Sequence, residues 1–249
     1  MPSKIKDDGI IRWIGNLFFG LTNRFMLPIA TLPVVFFATN HAFFHKPVFF
    51  SGAAGVVAAV LILDFTSYLF HVISHKVPFF WRFHEIHHLD CAFDTTTGLR
   101  IHFGELLFAI FFRSIPIMIF AISLKSVVIF EFILILDGLF HHTNILIPKK
   151  INNFFGFLIV TPDMHSVHHH AYQPDTDSNY GFIFNIWDKI FKTYNVRKRS
   201  EKWRIGLEYS SDLSFVELLI SPFMLQNLKD RSEKNGNNVF YKAEAEKYV

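Results

Sequence analysis

The chain has 249 residues, of which 51% are hydrophobic and only 18% are Asp, Glu, Lys or Arg, against roughly 25% in ordinary soluble domains. A net charge of +3 is too small to recruit nucleic acid, and the single Cys excludes both an internal disulfide framework and an iron–sulfur cluster, which takes about four Cys. Two excesses remain, 32 Phe and 14 His: too much Phe for a water-facing surface and too much His for a core.

The chain opens on a charged segment with no cleavable signal peptide. Ile10, Ile11, Trp13, Ile14, Leu17, Phe18 and Leu21 then recur at helical spacing, which predicts an amphipathic helix in a membrane interface or on a soluble bundle. Four apolar segments follow, at residues 25–44, 48–70, 106–124 and 127–147. Each reaches the roughly 20 residues needed to cross a bilayer. Their few charges are Asp64, Arg113, Glu131 and Asp137, and Arg113 and Glu131 are read as pairing with one another or snorkelling. Lys46 and Lys125 lie in the two short loops. Lys4, Lys6, Arg12, Arg24, Lys76, Arg82, Arg100, Lys149, Lys150 and the basic C-terminal region lie on the other side. The positive-inside rule therefore puts both termini and the connection 76–102 in the cytoplasm. The fold expected is all-α: about four transmembrane helices under a cytoplasmic helical cap. Residues 1–24 form the N-terminal cytoplasmic or interfacial helix, 25–228 the membrane domain, and 229–249 a polar flexible tail.

Three histidine clusters fall on the predicted cytoplasmic side: His71 and His75 (HxxxH), His84, His87 and His88 (HxxHH), and His165, His168 and His169 (HxxHH again), with His170 following. Spacings of three and four place side chains one turn apart on one helical face. Imidazole is the commonest metal ligand, and these eight exceed the six positions of one octahedral ion, so the clusters argue for two metals if they converge. Asp64 lies on the stripe Asp64, Tyr68, His71, His75 and is expected behind a ligand or solvated in a cavity; Asp137 is offered to His141 or His142. His84-Glu85-Ile86-His87-His88 also satisfies the zinc-protease HExxH. A zincin uses only three protein ligands and leaves five of these histidines without work. A membrane metal carrier or a bis-His haem protein are the non-enzymatic alternatives.

The order HxxxH, HxxHH, HxxHH between apolar spans resembles the fatty acid hydroxylase / sterol desaturase superfamily of membrane di-iron oxygenases. Asp64-Phe65-Thr66-Ser67-Tyr68, Trp81-Arg82-Phe83-His84, Arg100-Ile101-His102, His142-Thr143-Asn144, Thr161-Pro162, Asn179-Tyr180-Gly181 and Trp187-Asp188-Lys189-Ile190-Phe191 carry the likeness further. Phe103 stands where the family has Pro, and Lys192 where Gly is usual. The resemblance implies two non-haem irons, O₂ as co-substrate, and hydroxylation or desaturation of a sterol-like, fatty-acyl or alkyl lipid. It implies His71, His75, His84, His87, His88, His165, His168 and His169 as ligands and His142 as a ninth. Asp64, Asn144, Asp177 and Asn179 would stand behind them. His102 and His170 are weaker candidates, and His41 and His45 fall on the far side. Electrons would come from a separate reductase, ferredoxin or cytochrome b-type protein, because the chain has no GxGxxG and no CxxC. The membrane would be the endoplasmic reticulum of a eukaryote or the inner membrane of a bacterium.

Overall fold

The computed structural model describes residues 9–44, 52–198, 200, 203–209 and 213–224. The expected tail at 229–249, His45 and Lys46 lie outside the described residues. Among the described residues all regular structure is helical, with two isolated bridges, Ile159 with Phe184 and His170 with Ile205.

Helix α1 (Gly9–Met26) runs through a π turn (Leu27–Thr31) into α2 (Leu32–Asn40). The interfacial helix and first span expected as separate pieces are therefore one helical run. Pro28, which lacks an N–H for the α ladder, falls in the π turn, so the ladder is rewound there rather than broken. The apolar side of α1 faces outward through Ile10, Ile11, Ile14 and Leu21, while Asn16 and Phe19 are buried.

Helix α3 (Gly52–Lys76) buries Ala59, Leu63, Asp64, Ser67, Tyr68, His71 and Ser74 along one face, and both serines return their hydroxyls to the carbonyl four residues back. Val77 and Pro78 break the helix, and α4 (Pro78–His88) starts with Pro in the first turn, where a missing N–H costs nothing. Helix α5 (Phe103–Phe120) is capped by the His102 ring, which accepts from Gly104 N. After a left-handed Ala121, Ser123 caps α6 (Leu124–His141), and α5 and α6 both pack against α3. Val35, Ala59, Leu63, Ile110, Ile117, Val127 and Phe130 fill the core between α2, α3, α5 and α6. Arg113 pairs with Glu131 at 3.1 Å across α5 and α6.

Among the described residues three helical stretches are long and apolar enough to cross a membrane: Gly9–Asn40, Gly52–Lys76 and Phe103–Phe120. Helix α6, expected as a fourth, carries Lys125, Glu131 and Asp137 within its 18 residues and is not among them. The remaining helices are short: α7 (Lys149–Phe155), α8 (Pro162–His168), α9 (Gln173–Thr176), α10 (Ile186–Phe191) and α11 (Phe215–Ile220). Of these, α8 lies at the α3–α4 end of the bundle, where the His168 ring packs on His71 and His75.

Candidate metal centre

Two groups of histidines converge there. His71, His75, His84, His88 and His168 form one, and His87, His142, His165 and His169 the other; within each group the candidate ligand atoms lie within 4.8 Å of one another. The partition follows from helical geometry. At about 100° per residue, position i+4 lies some 40° to one side of i and i+3 some 60° to the other, so the two histidines of each HH pair diverge by about 100°. The box on α4 therefore gives His84 and His88 to the first group and His87 to the second. The box on α8 does the converse, giving His165 and His169 to the second and His168 to the first. The groups abut, with the His88 and His169 rings stacked 4.6 Å apart.

Hydrogen bonds fix several rings. Nδ1–H of His71 donates to Tyr180 O at 2.7 Å, that of His168 to Ser178 O at 2.7 Å, and that of His142 to Gly138 O at 2.6 Å. His84 Nδ1–H donates to Glu105 Oε1 at 2.7 Å. With Nδ1 protonated, each of these rings turns an Nε2 lone pair inward. His71 Nε2 and His84 Nε2 then face each other at 3.0 Å, as do His142 Nε2 and His165 Nε2 at 3.0 Å. Converging lone pairs repel unless a cation lies among them. Two nitrogens each about 2.1 Å from one ion, at a right angle, are about 3.0 Å apart. His75 Nε2 and His168 Nε2 are buried without a hydrogen-bond partner. The donor set thus fits metal ions, and nitrogen-only ligation suits Zn, Cu, Fe or Ni.

Burial, with neighbouring rings adding to it, holds the His87, His88, His165 and His169 imidazoles well below their usual value, and lowers His168 to about 3. These rings are neutral at pH 7, the form a metal needs.

Of the residues expected behind the ligands, Asp177 lies 3.5 Å from His75 Nδ1 and 2.9 Å from Lys76 Nζ. Asn179, at φ 52°, holds the loop whose neighbouring carbonyls, Ser178 O and Tyr180 O, tether His168 and His71; its own amide donates to Met164 O and Asn195 O. Asn144 is half-buried just past His142. Asp64 departs from expectation. Its carboxylate accepts from Ile183 N, Phe184 N and the Trp187 indole at 3.0, 3.2 and 2.8 Å, so it anchors a loop instead of a histidine. Asp137 takes His141, at 2.9 Å, rather than His142.

His102 caps α5 and donates to Leu219 O, while His170 pairs with Asp175 and stacks on Trp203; neither belongs to a histidine group. His41 is exposed against Phe37. The HExxH reading fails on geometry. His84 and His88 belong to a five-histidine group, and Glu85 is turned away to accept from Tyr209 OH at 2.9 Å, with burial raising its carboxyl to about 8. Sequence reasoning missed Glu105. An acid in the first turn of an apolar helix, three residues after a histidine, was the available signal. The carbonyl tethers leave no trace in side-chain identity.

An apolar helical chain with two abutting histidine groups at one end of its spans is a membrane protein with a site suited to metal. The chain belongs to the fatty acid hydroxylase family, whose profile matches residues 56–193. It is 27% identical to an ornithine lipid hydroxylase of Rhizobium tropici over 70% of this chain and 52% of that one. It is also 27% identical to an alkylglycerol monooxygenase of Homo sapiens, over 82% and 44%, and to a cholesterol 25-hydroxylase-like protein of Danio rerio, over 55% and 54%. The chain thus spans about half the length of these curated relatives. No solved structure matches it.

Proposed function

We propose that this protein is a membrane-bound di-iron oxygenase that uses O₂ and external electrons to hydroxylate or desaturate a C–H position of a lipid. The observation that carries the reading is the pairing of inward-facing nitrogens at 3.0 Å in two adjoining histidine groups. His71, His75, His84, His88 and His168 hold one iron, and His87, His142, His165 and His169 the other. Iron bound there supplies the O₂ activation that attack on an unactivated C–H bond requires. The chain's own work is orientation and exclusion. Glu105 and the carbonyls of Tyr180, Ser178 and Gly138 fix the rings, and burial keeps the imidazoles neutral and the site closed to bulk water.

The relatives named for an ornithine lipid and an alkylglycerol favour a polar-headed amphiphile that reaches the site from the bilayer. Helix α6 completes a four-span bundle with its charges turned to partners, Glu131 to Arg113 and Asp137 to His141. Both termini and the histidine boxes lie in the cytoplasm, residues 1–24 precede a membrane domain at 25–228, and 229–249 is a polar tail. A separate reductase, ferredoxin or cytochrome b-type protein delivers electrons. Metal analysis of purified protein is expected to find two irons per chain, and lipids from producing cells under ¹⁸O₂ to carry the label. His168→Ala removes one ligand of the first group and is expected to abolish both metal loading there and lipid oxidation. One zinc with no iron, or full activity of that variant, overturns the reading.

A further inference from the structure

Residues 149–160 and 183–192 are locked together into one apolar plate. Asn185 N donates to Leu158 O at 3.1 Å, and its side-chain amide donates to Gly156 O and Ile159 O at 2.7 and 2.9 Å. Val160 N donates to Ile183 O at 3.1 Å, and Lys189 Nζ to Phe157 O at 2.8 Å. The outer side of the plate shows Phe154 (76% exposed), Phe157 (80%), Leu158 (50%), Ile186 (41%), Ile190 (57%) and Phe191 (49%). A rigid surface of this composition in water is far more apolar than scattered exposed residues explain.

Its height is set by α3. Asp64 receives Ile183 N, Phe184 N and the Trp187 indole, and Phe191 stacks on Phe65 and Tyr68 at 5.7 and 5.6 Å. At 1.5 Å per residue, Asp64 lies roughly 18 Å back along α3 from Lys76. The plate is therefore fixed on the membrane side of His71 and His75. It also follows in sequence on α6, which exposes Phe132, Ile135 and Leu136. Its charge is one-sided. Lys149, Lys150 and Lys192 are exposed at its edges, and the one acid within its two segments, Asp188, is buried, accepting from Tyr180 N, Gly181 N and the Thr193 hydroxyl.

We propose that this plate is a membrane-inserting face: its apolar side chains enter the acyl region of one leaflet, and Lys149, Lys150 and Lys192 meet anionic phospholipid headgroups. The plate holds the histidine-bearing end of the bundle against the leaflet. The inference rests on the membrane reading of the spans and not on iron or catalysis.

The test uses the full chain with a bimane label on a single Cys at 154, 157 or 190, and at the exposed polar Gln173 as control, in a Cys91→Ser background. Proteins are reconstituted in phosphatidylcholine vesicles with and without phosphatidylglycerol. Nitroxide-bearing lipid is expected to quench the labels at 154, 157 and 190 several-fold more than the control, with aqueous iodide showing the opposite order. Replacing Lys149, Lys150 and Lys192 by Gln together is expected to remove the gain in lipid quenching that phosphatidylglycerol gives. A label at 157 that iodide reaches as readily as the control overturns the proposal. So does one that neither quencher reaches, which would mean a second copy or another protein covers the face. Unchanged phosphatidylglycerol dependence in the triple variant overturns the headgroup contact. Loss of metal binding with lipid quenching intact would fail the proposed activity and leave the plate standing.

Discussion

Among the described residues Glu105 is the one carboxylate hydrogen-bonded to an assigned ligand ring, 2.7 Å from His84 Nδ1. It fixes which nitrogen of His84 carries the proton and makes Nε2 a stronger donor to metal. Glu105→Gln keeps the shape but removes the anionic acceptor. Metal affinity, read by chelator competition, is expected to fall about 10–100-fold, with helical content unchanged; unaltered affinity would show that His84 is oriented by packing alone. Gly98 acts from the other side. A Cβ there would lie 2.9 Å from Gly138 O and 3.0 Å from His142 Nδ1, and Gly138 O is the acceptor that orients His142. Gly98→Ala is expected to cost about 1–3 kcal/mol in detergent unfolding and to weaken metal at the second group before the first. Equal loss at both sites would argue against local displacement of His142. At this scale the sequence shows imidazoles at helical spacing, which is enough to find eight histidines; His142 came only from the family likeness. Spacing does not show which ring turns to which group, because that depends on how α4 and α8 face each other. Lys192 illustrates the reverse case: its φ of 61° explains why the family favours Gly at that position, a preference visible in sequence whose cause was not.

Among the elements, α1 does more than border the membrane. Arg12 pairs with Asp90 at 2.8 Å and with Asp94, Asn16 donates to Asp90 at 2.9 Å, and the Trp13 indole donates to Asp94 at 3.0 Å. These contacts clamp α1 onto the loop 89–102, which carries Gly98 against His142. Asp90 is fully buried, so removing Arg12 leaves a carboxylate with its hydrogen bonds and only the more distant Arg100, at 4.0 Å, as an opposite charge. Arg12→Ala is expected to lower the unfolding free energy by roughly 3 kcal/mol, the low end for a broken buried pair. Because the loop backs onto His142, metal at the second group should also become easier to strip, and thermal unfolding in detergent with a metal-retention assay reads both effects. The apolar stripe of α1 was legible from its spacing, as an interfacial or bundle-surface helix, but spacing does not show that its polar side, through Arg12 and Asn16, faces protein. The long spans α3 and α5 were legible because length and hydropathy suffice for them. Helix α6, expected as a fourth span, was less so, since Glu131 and Asp137 find their partners only in three dimensions.

For the whole molecule, the histidine groups couple folding to pH and to metal. In an unfolded chain each imidazole takes up a proton near pH 6.5. In the folded protein His168 resists until about pH 3, and His87, His88, His165 and His169 are likewise held well below the ordinary value by burial. Below pH 6.5 the unfolded state therefore binds more protons than the folded one, and stability falls as pH falls. Each such histidine contributes up to about 1.4 kcal/mol per pH unit in that window. Five of them acting together would consume a typical folding free energy of about 5–15 kcal/mol within one or two units. Above pH 6.5 the same rings are neutral in both states and contribute no slope. The metal-free protein is thus expected to have an unfolding midpoint that rises slightly from pH 8 to 7, where Glu85, its carboxyl raised to about 8 by burial, takes up a proton in the folded state alone, and then declines steeply from 6.5 toward 5, where the five imidazoles outweigh that one carboxyl. Metal raises the plateau, since binding to the folded state alone adds stability by mass action, and acid then acts by releasing it. Detergent unfolding of chelator-treated and metal-loaded protein across this range tests both statements. A metal-free protein equally stable at pH 7 and pH 5 would mean the rings take up protons without unfolding, so that the groups open to water when empty.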